Sequence, residues 1–351
     1  MRSIWIAALI AYFGLPVWAQ KQVQTNEEFV TFDAPGAGTA SGQGTVVRSL
    51  NPTGTATGEY YDSNVAVPGF IRNADGTITT LDVPGASNTN GQGTFPRTIN
   101  PSGEIAGFYY DASHLTIDGF IRDTYGTITT LPGTLPISIN PRGDTTGTDS
   151  GQHGFVRDSD GNITRFDAGP IATFPQSINP SGEITGYFAD FSFMPRGFLR
   201  GNDGKITTFN AGPANTTSTF PMSIDPQGVI AGFYLDSSGK TRGFVREKNG
   251  EITTFDAGPL DTTVTSMNSA GEVTGYYFAS NGPAQGFVRR DNGEITSFRV
   301  PQAGGPFFGD GTLPRSINPG GHDVAGFYTD AIGSYHGFLR MPQQSKDTKT
   351  N

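Results

Sequence analysis

The chain has 351 residues, a formal charge of −9 and no cysteine. Without cysteine it has no disulfide bond, thiolate metal ligand or cysteine nucleophile, and an acidic chain without clustered Lys and Arg argues against nucleic-acid binding. Its 49 glycines, 24 prolines and 26 phenylalanines are typical of short strands and tight turns around aromatic cores.

The N-terminus has the pattern of a secretory signal peptide over residues 1–19. Arg2 supplies a positive charge, residues 4–15 are mostly apolar, and Val17-Trp18-Ala19 offers a cleavage site near Ala19. The apolar run is too short to span a membrane, and no later segment is apolar enough to do so. We therefore predict an exported chain, secreted or periplasmic.

One phrase then recurs in a fixed order: Ser-Ile-Asn-Pro-x-Gly, Ile-x-Gly-Phe-Tyr, Gly-Phe-aliphatic-Arg and Ile-Thr-Thr-Phe. Its first element, or a close relative, occurs seven times at spacings of 39 to 50 residues, so the internal repeat decides the fold. The first turn residues of the seven copies are Asn51, Asn100, Asn140, Asn179, Asp225, Asn268 and Asn318.

Each copy predicts four short strands, as the second copy illustrates. A strand over residues 95–99 ends at the turn 100–103, whose Asn-Pro-Ser-Gly order suits a type I turn. Strands follow over residues 104–109, 119–122 and 127–131. Asp-Gly or Asn-Gly between the last two strands of five copies predicts type I′ hairpins. Four antiparallel strands per copy predict an all-β, seven-bladed β-propeller.

The two ends of the repeat predict how the ring closes. The first three strands occur seven times, but the fourth follows them only six times. Residues 28–36 match residues 252–259, which belong to a fourth strand. We therefore predict that the N-terminal strand completes the last blade, giving a propeller over residues 27–342 and a disordered tail over residues 343–351.

Two repeated residue types are predicted to serve the blades. A mid-strand glycine marks the close approach of another backbone, here of a neighbouring blade. An arginine at the end of the third strand is predicted to pair with neighbouring acids or carbonyls. The glycines are Gly58, Gly107, Gly147, Gly186, Gly232, Gly275 and Gly326, and the arginines are Arg72, Arg122, Arg157, Arg200, Arg246, Arg289 and Arg340.

The variable connections after the second and fourth strands share one face, the loop face, where we predict any ligand site. Aspartates end the second strands there, and aromatic side chains near them suit stacking on sugars or anchoring a peptide. The candidate residues are Asp62, Asp111, His114, Asp190, Phe191, Asp236, Phe307, Phe308 and Asp330, with Phe193 as a further aromatic candidate.

Metal binding is weighed against a local role for the same residues. Converging carboxylates suit Ca²⁺, but an aspartate that starts a loop usually bonds nearby backbone amides, and five-fold repetition favours that role. The histidines lack HExxH-like spacing and are interpreted as surface or strand-end residues. They are His114, His153, His322 and His336. We assign no metal ligand and no cofactor, and Ca²⁺ remains open.

Several short motifs resemble the bacterial exported proteins of the HAF repeat family. They are Thr31-Phe32-Asp33-Ala34-Pro35-Gly36-Ala37, Leu81-Asp82-Val83-Pro84-Gly85-Ala86, Gly326-Phe327-Tyr328-Thr329-Asp330 and His336-Gly337-Phe338-Leu339. The resemblance covers nearly all of the mature chain and implies an extracytoplasmic repeat protein without an established activity. Only His153 and His336 keep the histidine that precedes Gly-Phe in that family.

The sequence therefore predicts a monomeric binding or interaction scaffold for an extracellular glycan or protein. It contains no nucleophile elbow or phosphate-binding loop, so it predicts no catalytic residue. The alternative is an extracellular hydrolase or lyase with carboxylates at the propeller mouth. That alternative needs a pair of carboxylates about 5 to 9 Å apart, one of them desolvated. A subunit of a larger cell-surface assembly is a third possibility.

Overall fold

The computed structural model describes residues 28–89, 91–213, 216, 218–280, 282–305, 309–318 and 323–341. Every regular element in these ranges is a β-strand. The predicted signal peptide, the predicted tail, Phe307, Phe308 and His322 lie outside the described residues. Among the residues described, no helix has the length and apolar character needed to cross a membrane.

The strands repeat in groups of four. The N-terminal strand β1 is Glu28–Phe32. The first strands of repeats one to seven are β2 Gly44–Leu50, β6 Thr94–Ile99, β10 Thr134–Ile139, β14 Ala172–Ile178, β18 Ser218–Ile224, β22 Thr262–Met267 and β26 Thr312–Ile317. The second strands are β3 Ala56–Tyr61, β7 Ile105–Asp111, β11 Thr145–Asp149, β15 Ile184–Ala189, β19 Ile230–Leu235, β23 Val273–Phe278 and β27 Val324–Thr329. The third strands are β4 Gly69–Arg72, β8 Thr116–Arg122, β12 Gly154–Arg157, β16 Pro195–Arg200, β20 Thr241–Arg246, β24 Ala284–Arg289 and β28 Tyr335–Met341. The fourth strands of repeats one to six are β5 Ile78–Leu81, β9 Ile128–Leu131, β13 Ile163–Phe166, β17 Ile206–Phe209, β21 Ile252–Phe255 and β25 Ile295–Phe298.

Repeats two to six each form one four-stranded antiparallel sheet in chain order. An eight-stranded sheet contains the strands of repeats one and seven together with β1. Its two parts meet through one parallel residue pair, Gly44 with Tyr335, and β1 pairs antiparallel with β28 from Glu28–Met341 to Phe32–Gly337. The predictions of an all-β fold and of four-stranded antiparallel sheets are confirmed.

The first strands form the innermost layer, because each contacts the first strand of the next repeat and β26 contacts β2. Serine hydroxyls join these strands across repeats. The Oγ of Ser49 accepts a hydrogen bond from the Ile99 amide of repeat two at 3.2 Å. The Oγ of Ser316 in repeat seven accepts one from the Leu50 amide of repeat one, also at 3.2 Å. The serine of the repeated Ser-Ile-Asn phrase therefore links neighbouring sheets.

The asparagine of the same phrase has a second linking role. Asn100 Oδ1 accepts hydrogen bonds from the amides of Ser102 and Glu104 and so closes its own turn. Asn100 Nδ2 donates to the carbonyl of Asn140 in the next repeat at 3.1 Å. Asn51, Asn140 and Asn179 donate to the following repeat in the same way. The turn residue predicted from its backbone preference thus also cross-links adjacent turns.

The predicted type I′ geometry of the Asp-Gly and Asn-Gly turns is wrong. A type I′ turn requires positive φ at both central residues, but in Asp75-Gly76 only the glycine has one, at 91°. The Gly76 amide donates to the Asn73 carbonyl at 2.9 Å. This pattern is a type I turn followed by a left-handed glycine, which the Asp75 side chain supports by accepting from the Thr77 amide.

The Gly-Phe-aliphatic-Arg phrase builds the core between sheets. Its phenylalanines are fully buried in all seven repeats: Phe70, Phe120, Phe155, Phe198, Phe244, Phe287 and Phe338. In five of the seven repeats its arginine stacks on a ring of β1 or of the preceding fourth strand, as Arg200 does over Phe166 with the guanidinium carbon 5.0 Å from the ring centroid. Arg200 Nη1 also donates to the Gly201 carbonyl. The prediction of carbonyl partners is confirmed, and the aromatic partner is additional.

The structural reason for the mid-strand glycines differs from the predicted one. A Cβ added to Gly107 would lie 2.2 Å from the carbonyl oxygen of Phe95, in the first strand of the same sheet. The pairing register of these two strands shifts between Pro96 and Thr98, so a β-bulge brings the backbones together there. Neighbouring repeats instead approach at the glycine of Gly-Phe, since a Cβ on Gly69 would lie 2.8 Å from Pro96 Cγ of the next repeat.

Candidate functional site

The predicted loop-face aspartates close five-residue turns. Asp236 Oδ1 accepts hydrogen bonds from the amides of Ser238 and Lys240 at 2.8 and 3.1 Å. The same pairs of amides, two and four residues on, are bonded by Asp62, Asp190 and Asp330, while Asp111 accepts from the two amides at Ser113 and His114. The connections after most second strands are therefore shorter and more regular than predicted, and the longer connections follow the fourth strands.

Asp111, Asp190 and Asp236 are held in the ionised form. The Ser238 hydroxyl and then the Arg242 guanidinium hold the pKa of Asp236 well below its ordinary value. The Ser113 hydroxyl does the same for Asp111, and the Met194 amide for Asp190. A general acid needs a raised pKa instead. Among the described residues, no group of three or more His, Asp or Glu could hold a metal ion.

In repeats five and seven, the residue immediately before the Gly-Phe pair is a histidine or an arginine that lies between two aspartates. His336 Nδ1 is 3.0 Å from both carboxylate oxygens of Asp33, the residue that follows β1, and its Nε2 is 3.4 Å from Asp330 Oδ2. In repeat five Arg242 takes this place, 2.9 Å from Asp236 and 2.6 Å from Asp256. The hydrogen bond with Asp33 raises the pKa of His336. A cation of either type thus joins the ends of the second and fourth strands.

The two remaining histidines in the described part of the chain are near the surface. His153 Nδ1 lies 2.8 Å from Asp167 Oδ1 and repeats the pattern of His336. His114 is largely exposed and lies 3.1 Å from the Ser113 hydroxyl. These positions agree with the interpretation as surface or strand-end residues.

One small pocket contains a carboxyl group that differs from the others. A pocket of about 120 Å³ between repeats one and two is lined by Val67, Asp82, Val83 and Ser87, among others. Burial raises the pKa of Asp82. No second acid lines this pocket, so it does not supply the carboxylate pair that the hydrolase or lyase alternative requires.

Exposed aromatic rings are concentrated in the turn after β15. Phe191 and Phe193 are 84% and 74% exposed, the highest values for phenylalanine in the described chain. Phe193 has a φ of 58°, in the left-handed region that a bulky side chain rarely adopts. Gly239 and Gly333 occupy the equivalent turn position in repeats five and seven. Val65 and Gln152 hold a positive φ at the same position in repeats one and three, so this conformation belongs to the turn, and the exposed phenylalanines are what distinguishes repeat four.

A second distinctive feature lies on the innermost strands, where the sequence reasoning predicted no site. In each repeat the strand register skips one residue at the β-bulge, and that residue is partly exposed. The seven bulge residues are Arg48, Arg97, Ile137, Gln176, Met222, Thr265 and Arg315. The three arginines fall in repeats seven, one and two, whose first strands are neighbours. We call Arg48, Arg97 and Arg315 the arginine sector.

Only one arginine of this sector has an acidic partner. Arg48 Nε lies 2.8 and 3.1 Å from the two carboxylate oxygens of Glu59, which is fully buried. Other repeats have an aromatic residue or a threonine at the place of Glu59. In two of them the bulge arginine stacks on that ring: Arg97 over Phe108 and Arg315 over Phe327, at 5.0 and 5.2 Å.

A sequence signal for this sector exists. The residue before the repeated Ser-Ile-Asn phrase, or its variants, is arginine in the last, first and second copies, whose first strands contact one another, and is uncharged in the other four. A residue that occurs in every repeat has a structural role in each of them. A charged residue that occurs only in adjacent repeats is therefore a better indicator of a single binding site than one found in all seven.

No protein-family model matches the chain, and no curated protein matches it. Among solved structures, it is similar to the β-propeller domain of the Trilobed protease from Pyrococcus furiosus, with a TM-score of 0.59 at 12% identity over 84% of this chain and 94% of that chain. It is also similar to the Pyrococcus horikoshii acylaminoacyl peptidase, with a TM-score of 0.59 at 12% identity over 92% of this chain. The match spans 54% of the peptidase chain. At such identities the likeness shows the fold, which is a β-propeller.

Proposed function

We propose that the chain is an exported binding scaffold, a closed seven-bladed propeller that binds an extracellular glycan or protein through its loop face. Its membership of the HAF repeat family and its export, secreted or periplasmic, belong to the same proposal and rest on the sequence motifs. The proposal describes a binding protein rather than an enzyme, because the loop-face aspartates are committed to their own turns.

The blade count rests on how the eight-stranded sheet divides. Its two parts share a single residue pair, Gly44 with Tyr335, whereas strands within each part pair over several residues. Counted separately they give two blades, and the other five sheets give five more. The bond from the Leu50 amide to Ser316 and the stacking of Arg72 over Phe32 of β1 support closure between repeats seven and one.

The turn that carries Phe191 and Phe193 is the observation on which the binding role rests. Two neighbouring aromatic rings in water forgo the stabilisation that burial would give them. Asp190 closes this turn by accepting hydrogen bonds from the amides of Ser192 and Met194, so both rings stand on a fixed backbone. Exposed rings on a rigid turn suit stacking on a sugar face or insertion into a partner protein.

The test is binding of the purified mature chain to a panel of immobilised bacterial and plant polysaccharides, and to extracellular proteins of the source culture. The variant Phe191→Ser/Phe193→Gly removes both rings and gives position 193 the residue that repeats five and seven already use. We expect its melting temperature to be unchanged or higher, because glycine accepts a positive φ without strain. We expect its affinity for the captured glycan or protein to fall at least about tenfold.

Tyr125→Ser is the matched control. Tyr125 is 94% exposed but lies in a turn between third and fourth strands, on the opposite face. Its removal should leave binding unchanged. Equal binding by the wild type and the double variant would contradict a role for the loop face, and equal losses in the double variant and Tyr125→Ser would indicate non-specific adhesion.

A further inference from the structure

The arginine sector has more positive charge than its surroundings neutralise. Glu59 compensates Arg48, and no described residue forms a hydrogen bond or an ion pair with Arg97 or Arg315. The Nε atoms of Arg97 and Arg315 are buried without a hydrogen-bond partner. Leaving a buried donor unsatisfied is costly, and such groups are rare in folded proteins. The Nε atoms of Arg72, Arg200 and Arg289 share this feature, but each of those residues donates its Nη1 to a backbone carbonyl. Arg97 and Arg315 differ because no described residue accepts a hydrogen bond from any nitrogen of their guanidinium groups, and this leaves those donors for a ligand.

The three arginines lie on neighbouring first strands, and their charges act on one another. Burial lowers the pKa of Arg315 to about 10, and the positive charge of Arg48 adds to that effect. Burial also lowers the pKa of Arg97, and Arg48 lowers it further while Glu59 opposes the change. All three side chains still carry their charge at neutral pH. Glu59 supplies one negative charge against three positive ones, so the sector keeps an excess of positive charge that a bound anion would neutralise.

The packing of the sector keeps the guanidinium planes in place. Phe108 and Phe327 each cover one face of an arginine, so the edge that carries the N–H donors is left for other partners. Both residues sit at a β-bulge, outside the regular pairing of the two strands. The guanidinium groups of Arg97 and Arg315 lie on either side of the neutralised Arg48–Glu59 pair. A planar oxyanion such as a carboxylate can accept two parallel hydrogen bonds from one guanidinium, so it suits this arrangement.

Tyrosine side chains border the same region. The ring of Tyr110 meets Phe108, which lies beneath Arg97, edge to face with a centroid distance of 6.4 Å. The ring of Tyr335 meets Phe327, which lies beneath Arg315, in the same way at 5.6 Å. The rings of Tyr61 and Tyr335 meet edge to face with their centroids 6.1 Å apart. A ligand with a polar ring and a carboxylate group would fit here, because the tyrosine rings can contact its ring and the arginines its carboxylate.

We propose that the arginine sector binds the carboxylate of an acidic sugar, with Arg97 and Arg315 as the charged ligands and the tyrosines beside the ring. This site is separate from the loop-face turn of Phe191 and Phe193. It does not depend on the binding function proposed above, and each site can fail without the other.

The experiment is calorimetric titration of the mature protein at low ionic strength with three probes: galacturonate, the neutral sugar galactose, and inorganic phosphate. We expect galacturonate to bind and galactose to give no heat. Arg97→Gln and Arg315→Gln should each weaken galacturonate binding about tenfold or more, because each removes a charge-assisted, forked contact. Raising the salt concentration should weaken binding as well.

Gln176→Ala is the matched control, since Gln176 occupies the same bulge position in repeat four. It should leave galacturonate affinity unchanged, as should Phe191→Ser/Phe193→Gly. Melting curves show whether each variant is folded, and Arg97→Lys, which keeps the charge without the planar fork, should give a smaller loss. No galacturonate binding, or unchanged affinity in both Gln variants, would overturn the site. Phosphate binding as tight as galacturonate binding would overturn the assignment to an acidic sugar.

Discussion

At the scale of single residues, the asparagine at the first position of the repeated turn makes several hydrogen bonds with one side chain. In repeats two, three and four its amide group closes the turn, donates to the next repeat and donates to an acid four residues on, as Asn179 does to Glu183 at 2.7 Å. Repeat five departs from this pattern, with Asp225 at the turn and Val229 at the place of the acid. Asp225 accepts from two amides but has no N–H to donate.

Asp225→Asn is therefore expected to stabilise the protein by about 1 kcal/mol at pH 7, the net value of one added hydrogen bond. Burial raises the pKa of Asp225 in the folded state. Wild-type stability from this group is thus largest at low pH and falls as the pH rises through the unfolded and folded pKa values. The gain should be larger at pH 7 than at pH 4, measured by denaturant unfolding.

Asp236→Asn gives the opposite expectation and serves as the control. Hydrogen bonds lower the pKa of Asp236, so its stabilising effect is present at neutral pH and is lost as the pH falls through the folded value. The substitution should destabilise at pH 7 and have less effect in acid. The same sign for both variants would contradict the assigned environments.

Some contacts of the candidate site could be predicted from the sequence and others could not. Asp236 at the start of a loop predicted a local hydrogen-bonding role, and it has one. The partner of Arg48 could not be predicted in this way, because Glu59 takes a place that is aromatic in most copies and its side chain reaches a different strand. Contacts within one turn follow from spacing, whereas contacts across strands require the register.

At the scale of elements, the order and approximate bounds of the strands followed from the repeat, but the turns and bulges did not. Asp-Gly pairs occur both in type I′ turns and in type I turns that a left-handed glycine completes. The number of residues that close the hairpin separates the two, as the bond from the Asn73 amide to the Thr77 carbonyl shows. Sequence spacing alone left that number open.

Gly107→Ala tests the bulge explanation of the mid-strand glycine. The added methyl group would lie 2.2 Å from the Phe95 carbonyl oxygen and 2.9 Å from Pro96 Cα, and neither backbone atom can rotate away. We expect a loss of about 2 kcal/mol or more in unfolding free energy. Gly282→Ala is the control, because nothing lies within 4 Å of its added methyl group. Equal effects of the two substitutions would disprove the explanation.

At the scale of the whole molecule, the junction between repeats seven and one decides whether the sheets form a ring. Periodicity predicted that the chain ends meet, since the fourth strand missing from the last copy stands at the N-terminus. The particular contacts were beyond that prediction. Phe32 lies edge to face with Phe70 of repeat one, and its own strand pairs with β28 of repeat seven. A single strand thus contacts both sides of the junction.

Removing residues 20–33 from the mature chain should therefore weaken the whole propeller and not only its N-terminus. The deletion leaves the β28 edge unpaired and removes the ring beneath Arg72. We expect one cooperative transition with a loss of about 3 kcal/mol or more, the scale of deleting one buried phenylalanine. We also expect self-association through the open strand edge, detected by light scattering. Removing residues 343–351 is the control and should change neither quantity. If both truncated chains melt at the wild-type temperature, β1 does not close the ring, and the seven-bladed arrangement proposed here fails with it.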